Sequence, residues 1–144
     1  VDSTGRGLIL VADDEQPVLA VIVQTLSECG YEVLTARDGR AALELFRRRG
    51  PEIDLVLLDM AMPEMSGSET LAAMRKLRPE VPALLCSGYD EKETTRQLIG
   101  AGLAGFLQKP FTPEALAAKV KESLAAGRSK ERQSGVPPPA VGSA

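Results

Sequence analysis

Histidine is absent from the 144 residues, and aromatic residues make up only 3%. Without histidine the chain can hold no Ser-His-Asp triad, no histidine-ligated metal and no histidine phosphodonor of its own. So few aromatic rings leave an aliphatic core and no stacking platform for nucleotide bases. Net charge is −3, which gives no electrostatic footprint for a polyphosphate partner and argues against nucleic-acid binding. Cys29 and Cys86 have neither metal-ligand spacing nor a disulfide-rich setting, so both are expected as buried thiols in a reducing cytoplasm. No apolar run approaches the roughly 18 to 20 residues of a membrane span, and no charged-then-apolar leader opens the chain, so direct membrane contact is not expected. Gly-rich phosphate loops of the G-x-G-x-x-G or Walker type are missing as well.

What is present is an alternation of short apolar runs with amphipathic stretches. The runs predict strands near 8–12, 32–36, 54–58, 83–86 and 104–108, each followed by a helix. Pro17 suits the first turn of helix 1, and Asp38-Gly39 the start of helix 2. Ser66 with Glu69, and Asp90 with Glu93, have capping-box spacing, while Thr112-Pro113-Glu114 opens the last helix. Gly30, Gly50-Pro51, Pro79 and Gly100-Ala101-Gly102 supply stops. Right-handed crossovers between parallel strands turn five such units into an α/β three-layer sandwich. Residues 1–7 read as a linker, 8–126 as one domain, and 127–144, with Pro137-Pro138-Pro139, as a disordered tail or linker.

Asp13, Asp14, Asp59, Ser87 and Lys109 all fall at or just beyond the carboxyl ends of these runs. In a doubly wound sheet of order 2-1-3-4-5, strands 1 and 3 are neighbours and the three aspartates converge. Like charges about 4 Å apart repel by roughly 4 kcal/mol at an effective dielectric near 20, so the cluster calls for a cation or a raised pKa. Oxygen-only ligation suits Mg2+. A strand-tip aspartate beside it can attack phosphorus as a covalent nucleophile, with Lys109 supplying a point charge for phosphate. Ordinary helix and loop caps are the competing readings for Asp13-Asp14 and Asp59, a turn with Gly88 for Ser87, and a solvated side chain for Lys109.

Taken together, Leu10-Val11-Ala12-Asp13-Asp14-Glu15, Leu57-Leu58-Asp59-Met60-Ala61-Met62-Pro63, Ser87-Gly88 and Lys109-Pro110-Phe111 resemble the receiver domain of two-component response regulators, from about Leu8 to Ala126. The resemblance implies a flavodoxin-like fold and a phosphoacceptor at Asp59. It also implies an Mg2+ site built from Asp13, Asp14, Asp59 and the backbone carbonyl of Ala61. Ser87 and Lys109 would meet the phosphoryl group, Lys109-Pro110 would be cis, and Phe106 would be the aromatic switch residue. Ala61 and Tyr89 offer no carboxylate or amide to orient water, which implies a comparatively long-lived acyl phosphate. The domain would be no enzyme beyond assisting its own phosphorylation and dephosphorylation.

By the same resemblance the partner is a histidine kinase or a histidine phosphotransfer domain, and the chain is a monomer or weak dimer. Switching would pull Ser87 toward the new oxygens, turn Phe106 inward and shift the stretch Glu91-Gln97 with strand 5. The lead-in, the absence of an initiator Met and the tail favour the receiver of a hybrid histidine kinase over a stand-alone regulator. Helix 1 is expected to help dock the partner. Val18, Val21, Ile22, Thr25, Leu26 and Cys29 are assigned to its sheet-facing stripe, and Leu19 with Val23 to an apolar flank beside the crevice. A pseudo-receiver binding module, a flavin or nucleotide binder and a haloacid-dehalogenase-type phosphatase are the rivals. The last needs a second Asp where Ala61 stands.

Overall fold

The computed structural model describes residues 6–88 and 105–135. Five parallel strands, β1 (Leu8–Ala12), β2 (Glu32–Ala36), β3 (Leu55–Asp59), β4 (Ala83–Ser87) and β5 (Gly105–Gln108), form one sheet in the order β2-β1-β3-β4-β5. Four described helices accompany it: α1 (Gln16–Glu28), α2 (Gly39–Arg49), α3 (Gly67–Leu77) and α4 (Pro113–Gly135). The α/β three-layer fold and strand order are those expected. The capping box at Asp90 and Glu93, Tyr89, the stretch Glu91-Gln97 and the stop at Gly100-Ala101-Gly102 lie outside the described residues.

Strand side chains alternate between the two faces of the sheet, and each face has its own core. Leu10, Ala12, Val56, Leu58 and Leu85 pack with Phe46 of α2 and Leu71 and Met74 of α3. Ile9, Val11, Leu55, Leu57 and Leu84 pack on the other side with Leu19, Ile22 and Leu26 of α1 and Leu116, Val120 and Leu124 of α4. Burial on both faces is why β1, β3 and β4 read as unbroken apolar runs. β2 is an edge strand and only Ala36 in it is fully buried.

The local start signals act as their chemistry predicts. Asp38 accepts the Ala41 N–H at 2.7 Å, and Ser66 with Glu69 forms a complete capping box on α3. Thr112 Oγ1 accepts the Ala115 N–H at 3.0 Å, with Pro113 opening α4. Gly30, φ 100°, ends the α1 turn in a conformation that disfavours a side chain.

Three features differ from the sequence reading. β3 begins at Leu55, because the Asp54 carboxylate turns aside to accept the Leu8 N–H at 2.8 Å. Helix α4 passes the expected boundary at 126 and runs to Gly135, since Arg128, Lys130, Glu131, Arg132 and Gln133 are good helix formers. In α1 it is Leu19, Ile22 and Leu26 that are buried, while Val21 is 46% exposed, and Cys29, expected to be buried, is only half-buried at the helix end. At 3.6 residues per turn Leu19 lies about 60° from Ile22 and Val21 about 100°, so the stripe assigned to Val21 belongs to Leu19.

The entry to α3 is tightly fitted against β3. The Gly67 N–H donates to the Met60 carbonyl at 3.0 Å, and a Cβ at Gly67 would lie 2.5 Å from the Asp59 carbonyl oxygen and 2.9 Å from Met60 Cα. Both obstacles are backbone and cannot swing away. Gly67→Ala should therefore cost about 1–3 kcal/mol, measured as a lower denaturant midpoint with an unchanged slope.

Candidate functional site

The register pairs Ala12 with Leu58 and Asp59 with Cys86, so the chain leaving β1 and the tip of β3 emerge side by side. Asp13 and Asp59 stand there, 1% and 4% exposed. Asp13 is held from several directions: its N–H donates to the Ala36 carbonyl at 3.1 Å, and its Oδ1 accepts the Glu15 N–H at 2.9 Å. Asp59 Oδ1 accepts the Ala61 N–H at 3.4 Å. Asp14 is only half-buried.

Lys109 enters from the end of β5. Its N–H donates to the Ser87 carbonyl at 2.8 Å, tying the β5 exit to the β4 exit, and the following Lys109-Pro110 bond is cis, as expected. The ammonium lies 3.0 Å from Asp13 Oδ2, 3.3 Å from Asp59 Oδ2 and 3.5 Å from Glu15 Oε1. Lys109 is thus an internal counter-ion, and its solvated alternative does not hold. Burial by itself pulls its pKa down, but the hydrogen bond to Asp13 and the charges of Asp59 and Asp13 outweigh that and leave it raised.

Asp59 is affected in the opposite sense to an ordinary ion-paired carboxylate. Burial, then repulsion from Asp13, raise its pKa from 3.8 to about 6, although Lys109 and the Ala61 N–H act to lower it. One lysine does not neutralise the cluster. Carboxylate oxygens of Asp13, Asp14 and Asp59 lie within 4.8 Å of one another, and a hard divalent cation accepting oxygen ligands fits this donor set and its uncompensated charge.

Of the other expected site residues, Ser87 is buried at the tip of β4, its hydroxyl 3.4 Å from the Gly88 carbonyl. Phe106 is half-buried on β5, paired in register with Leu85. Ala61 contributes the N–H already described. Cys86, beside Asp59 in register, is buried, and burial pushes its thiol pKa upward, which leaves it inert. Glu15, given no role from sequence, joins the site through Lys109. Its signal was its place directly after Asp13-Asp14 at a strand exit.

Beside the cluster an open groove of about 510 Å3 is lined by Glu15, Pro17, Val18, Val21, Lys109, Pro110 and Phe111. Leu19 is not part of it, and the flank expected from Leu19 and Val23 is replaced by Val18 and Val21. Among the described residues no helix is long and apolar enough to cross a membrane.

Residues 9–121 match the family described as the response regulator receiver domain. The chain is 39% identical over 123 residues to the sensor kinase CckA of Brucella abortus, covering 85% of this chain and 13% of that protein. It is 37% identical over 117 residues to the transcriptional regulatory protein ZraR of Escherichia coli O157:H7, covering 81% of this chain and 26% of that one. The chain therefore spans a minor part of these relatives. Among solved structures, a response regulator receiver domain protein from Clostridium thermocellum superposes with a TM-score of 0.81 at 29% identity, covering 86% of this chain and 98% of that one. The chemotaxis protein CheY4 of Vibrio cholerae gives 0.75 at 30% identity, covering 83% and 99%.

The raised pKa of Asp59 has a stability consequence. Between about pH 4 and pH 6 the folded chain binds the Asp59 proton more tightly than the unfolded chain, so stability falls as pH rises through that window and stays lower above it. With divalent cations chelated, Asp59→Asn should raise the melting temperature at pH 7.5 by about 4 °C, on the order of 1 kcal/mol. The gain should vanish near pH 4. Calorimetric scans at the two pH values check it, and an equal gain at both would contradict the assignment.

Proposed function

The chain belongs to the response regulator receiver domain family, and on that premise we propose that it accepts a phosphoryl group on Asp59 from a histidine of a partner protein. The observation carrying this reading is a buried strand-tip carboxylate sharing the Lys109 ammonium with Asp13. The chain works in two-component signal transduction. It has no histidine of its own, and membership of this family points to a histidine kinase or a histidine phosphotransfer domain as the donor.

An Asp59 oxygen forms the bond to phosphorus while the bond from phosphorus to the imidazole nitrogen breaks, the electron pair staying on the imidazole. At neutral pH Asp59 is mostly ionised, as this attack requires. Its desolvated setting raises the energy of that charge, which spreading over the phosphoryl oxygens relieves. Lys109 supplies a fixed positive charge at the mouth of the crevice. Asp13, Asp14 and Asp59, with the backbone carbonyl of Ala61, are the residues that would hold Mg2+. When bound, Mg2+ supplies charge neutralisation for the transferring group. Ser87, buried at the adjacent strand tip, offers its hydroxyl to a phosphoryl oxygen, and Phe106 on β5 responds through packing alone. The domain is no enzyme in its own right.

The groove along α1 is where a histidine-bearing helix would lie. Its apolar wall of Pro17, Val18, Val21 and Phe111 opens onto Lys109, so a helix seated there brings an imidazole toward Asp59. Residues 8–126 act as the receiver unit with 1–7 as a linker. The similarity to a sensor kinase favours a hybrid histidine kinase as parent over a stand-alone regulator, which the similarity to CheY4 keeps as the second reading. A cytoplasmic setting and a monomer or weak dimer go with either. The complete acidic set speaks against a pseudo-receiver.

With acetyl phosphate and Mg2+, intact-mass measurement should show one hydroxylamine-labile phosphoryl group, absent without Mg2+ and absent in Asp59→Asn. Persistent labelling of that variant would sink the assignment. Replacing Val18 and Val21 together by Ser should slow transfer from a cognate histidine donor roughly five- to tenfold, from the loss of about 1 kcal/mol of docking. Acetyl phosphate labelling should stay unchanged, and a parallel fall in both rates would make the pair structural.

A further inference from the structure

Glu15 is an unusual residue for the position it holds. It is the N-cap of α1, where a short oxygen-bearing side chain normally satisfies a free backbone N–H, yet its carboxylate makes no capping bond. Its backbone is nonetheless fixed: the N–H donates to Asp13 Oδ1 at 2.9 Å and the carbonyl accepts from the Leu19 N–H at 3.0 Å. The side chain is directed instead across the crevice mouth to Lys109, 3.5 Å away.

An ammonium has three N–H donors. In the resting site three carboxylates surround it, at 3.0, 3.3 and 3.5 Å. A phosphoryl oxygen arriving beside Asp59 can reach Lys109 only if one of them lets go. Asp13 is 2% exposed at its side chain and pinned by the Glu15 N–H, and Asp59 is the group being modified, 5% exposed. Glu15, at 61% exposure and the longest distance, can rehydrate at little cost.

We propose that Glu15 is a positioning residue that shares Lys109 in the resting site and surrenders it to the incoming phosphoryl group. The inference rests on the phosphoacceptor reading of Asp59. Glu15 thereby acts as a brake on small anionic donors. They must displace it from Lys109 and approach past its charge, whereas the bound donor already has Lys109, so the contact affects donor capture and not the transfer step. Before transfer, Glu15 also competes with Asp13 and Asp59 for the same ammonium, which leaves those oxygens freer for a cation.

The test uses the purified chain in saturating Mg2+, with acetyl phosphate as donor and Asp59 labelling followed by intact mass. Glu15→Gln should raise kcat/KM about two- to fivefold through a lower KM, with the saturating rate unchanged, in line with one partly exposed ion pair. Glu44→Gln, which removes an exposed charge on α2, is the control and should do nothing. Calorimetric Mg2+ titration gives a second readout. Glu15→Gln should weaken Mg2+ binding about two- to fivefold in the wild-type background and clearly less in Lys109→Gln, because the effect runs through the lysine. Unchanged kinetics, the same gain from Glu44→Gln, or equal Mg2+ effects in both backgrounds would each overturn the proposal. Absence of wild-type labelling at Asp59 would overturn the phosphoacceptor reading and the brake with it, while the Mg2+ comparison would still report whether Glu15 and Lys109 are coupled.

Discussion

The site depends on an excess of negative charge that one lysine cannot cancel. Asp13 and Asp59 are buried at adjoining strand ends, and Lys109 reaches both, yet Asp59 still has its pKa raised to about 6. The remaining repulsion is held in place by the backbone. Ala36 fixes Asp13, Cys86 fixes the residue after Asp59 through its carbonyl 2.8 Å from the Met60 N–H, and Ser87 fixes Lys109. Each anchor is a main-chain bond between neighbouring strand exits. Side-chain substitutions around the crevice therefore change its charge without moving its frame.

That frame was legible in the sequence wherever both faces of a strand are buried. Leu8–Ala12, Leu55–Asp59 and Ala83–Ser87 are runs without polar interruption, so their ends, and the charged residues beyond them, could be located within about a residue. The capping residues Asp38, Ser66 and Thr112 were equally readable, because each signal is local. The expected convergence of Asp13, Asp14 and Asp59 followed from strand order and is seen in the cluster of their oxygens.

What escaped the sequence depended on angle or on distant partners. Leu19 and Val21 lie about 60° and 100° to either side of Ile22, both within reach of a core-facing stripe, and their burial decides the phase. Asp54 looked like a strand residue because its partner, the Leu8 N–H, is 46 residues away. Glu15 received no role, since its place directly after Asp13-Asp14 does not by itself announce a lysine 94 residues later. The end of α4 was misjudged for another reason. The stretch from Gly127 on has no apolar period and leads into Pro137-Pro138-Pro139, but the charged residues directly after Gly127 favour helix enough to carry it to Gly135.

The alternation of strand side chains between two separate cores makes each central strand a pair of independent reporters. Leu57 belongs to the layer of α1 and α4, and Leu58, its neighbour in sequence, to the layer of α2 and α3. Isotope-labelled methyl groups at these two positions, both directly before Asp59, would sense a change at the strand tip through different packing partners. Comparing them distinguishes a disturbance that spreads through one face of the sheet from one that spreads through both.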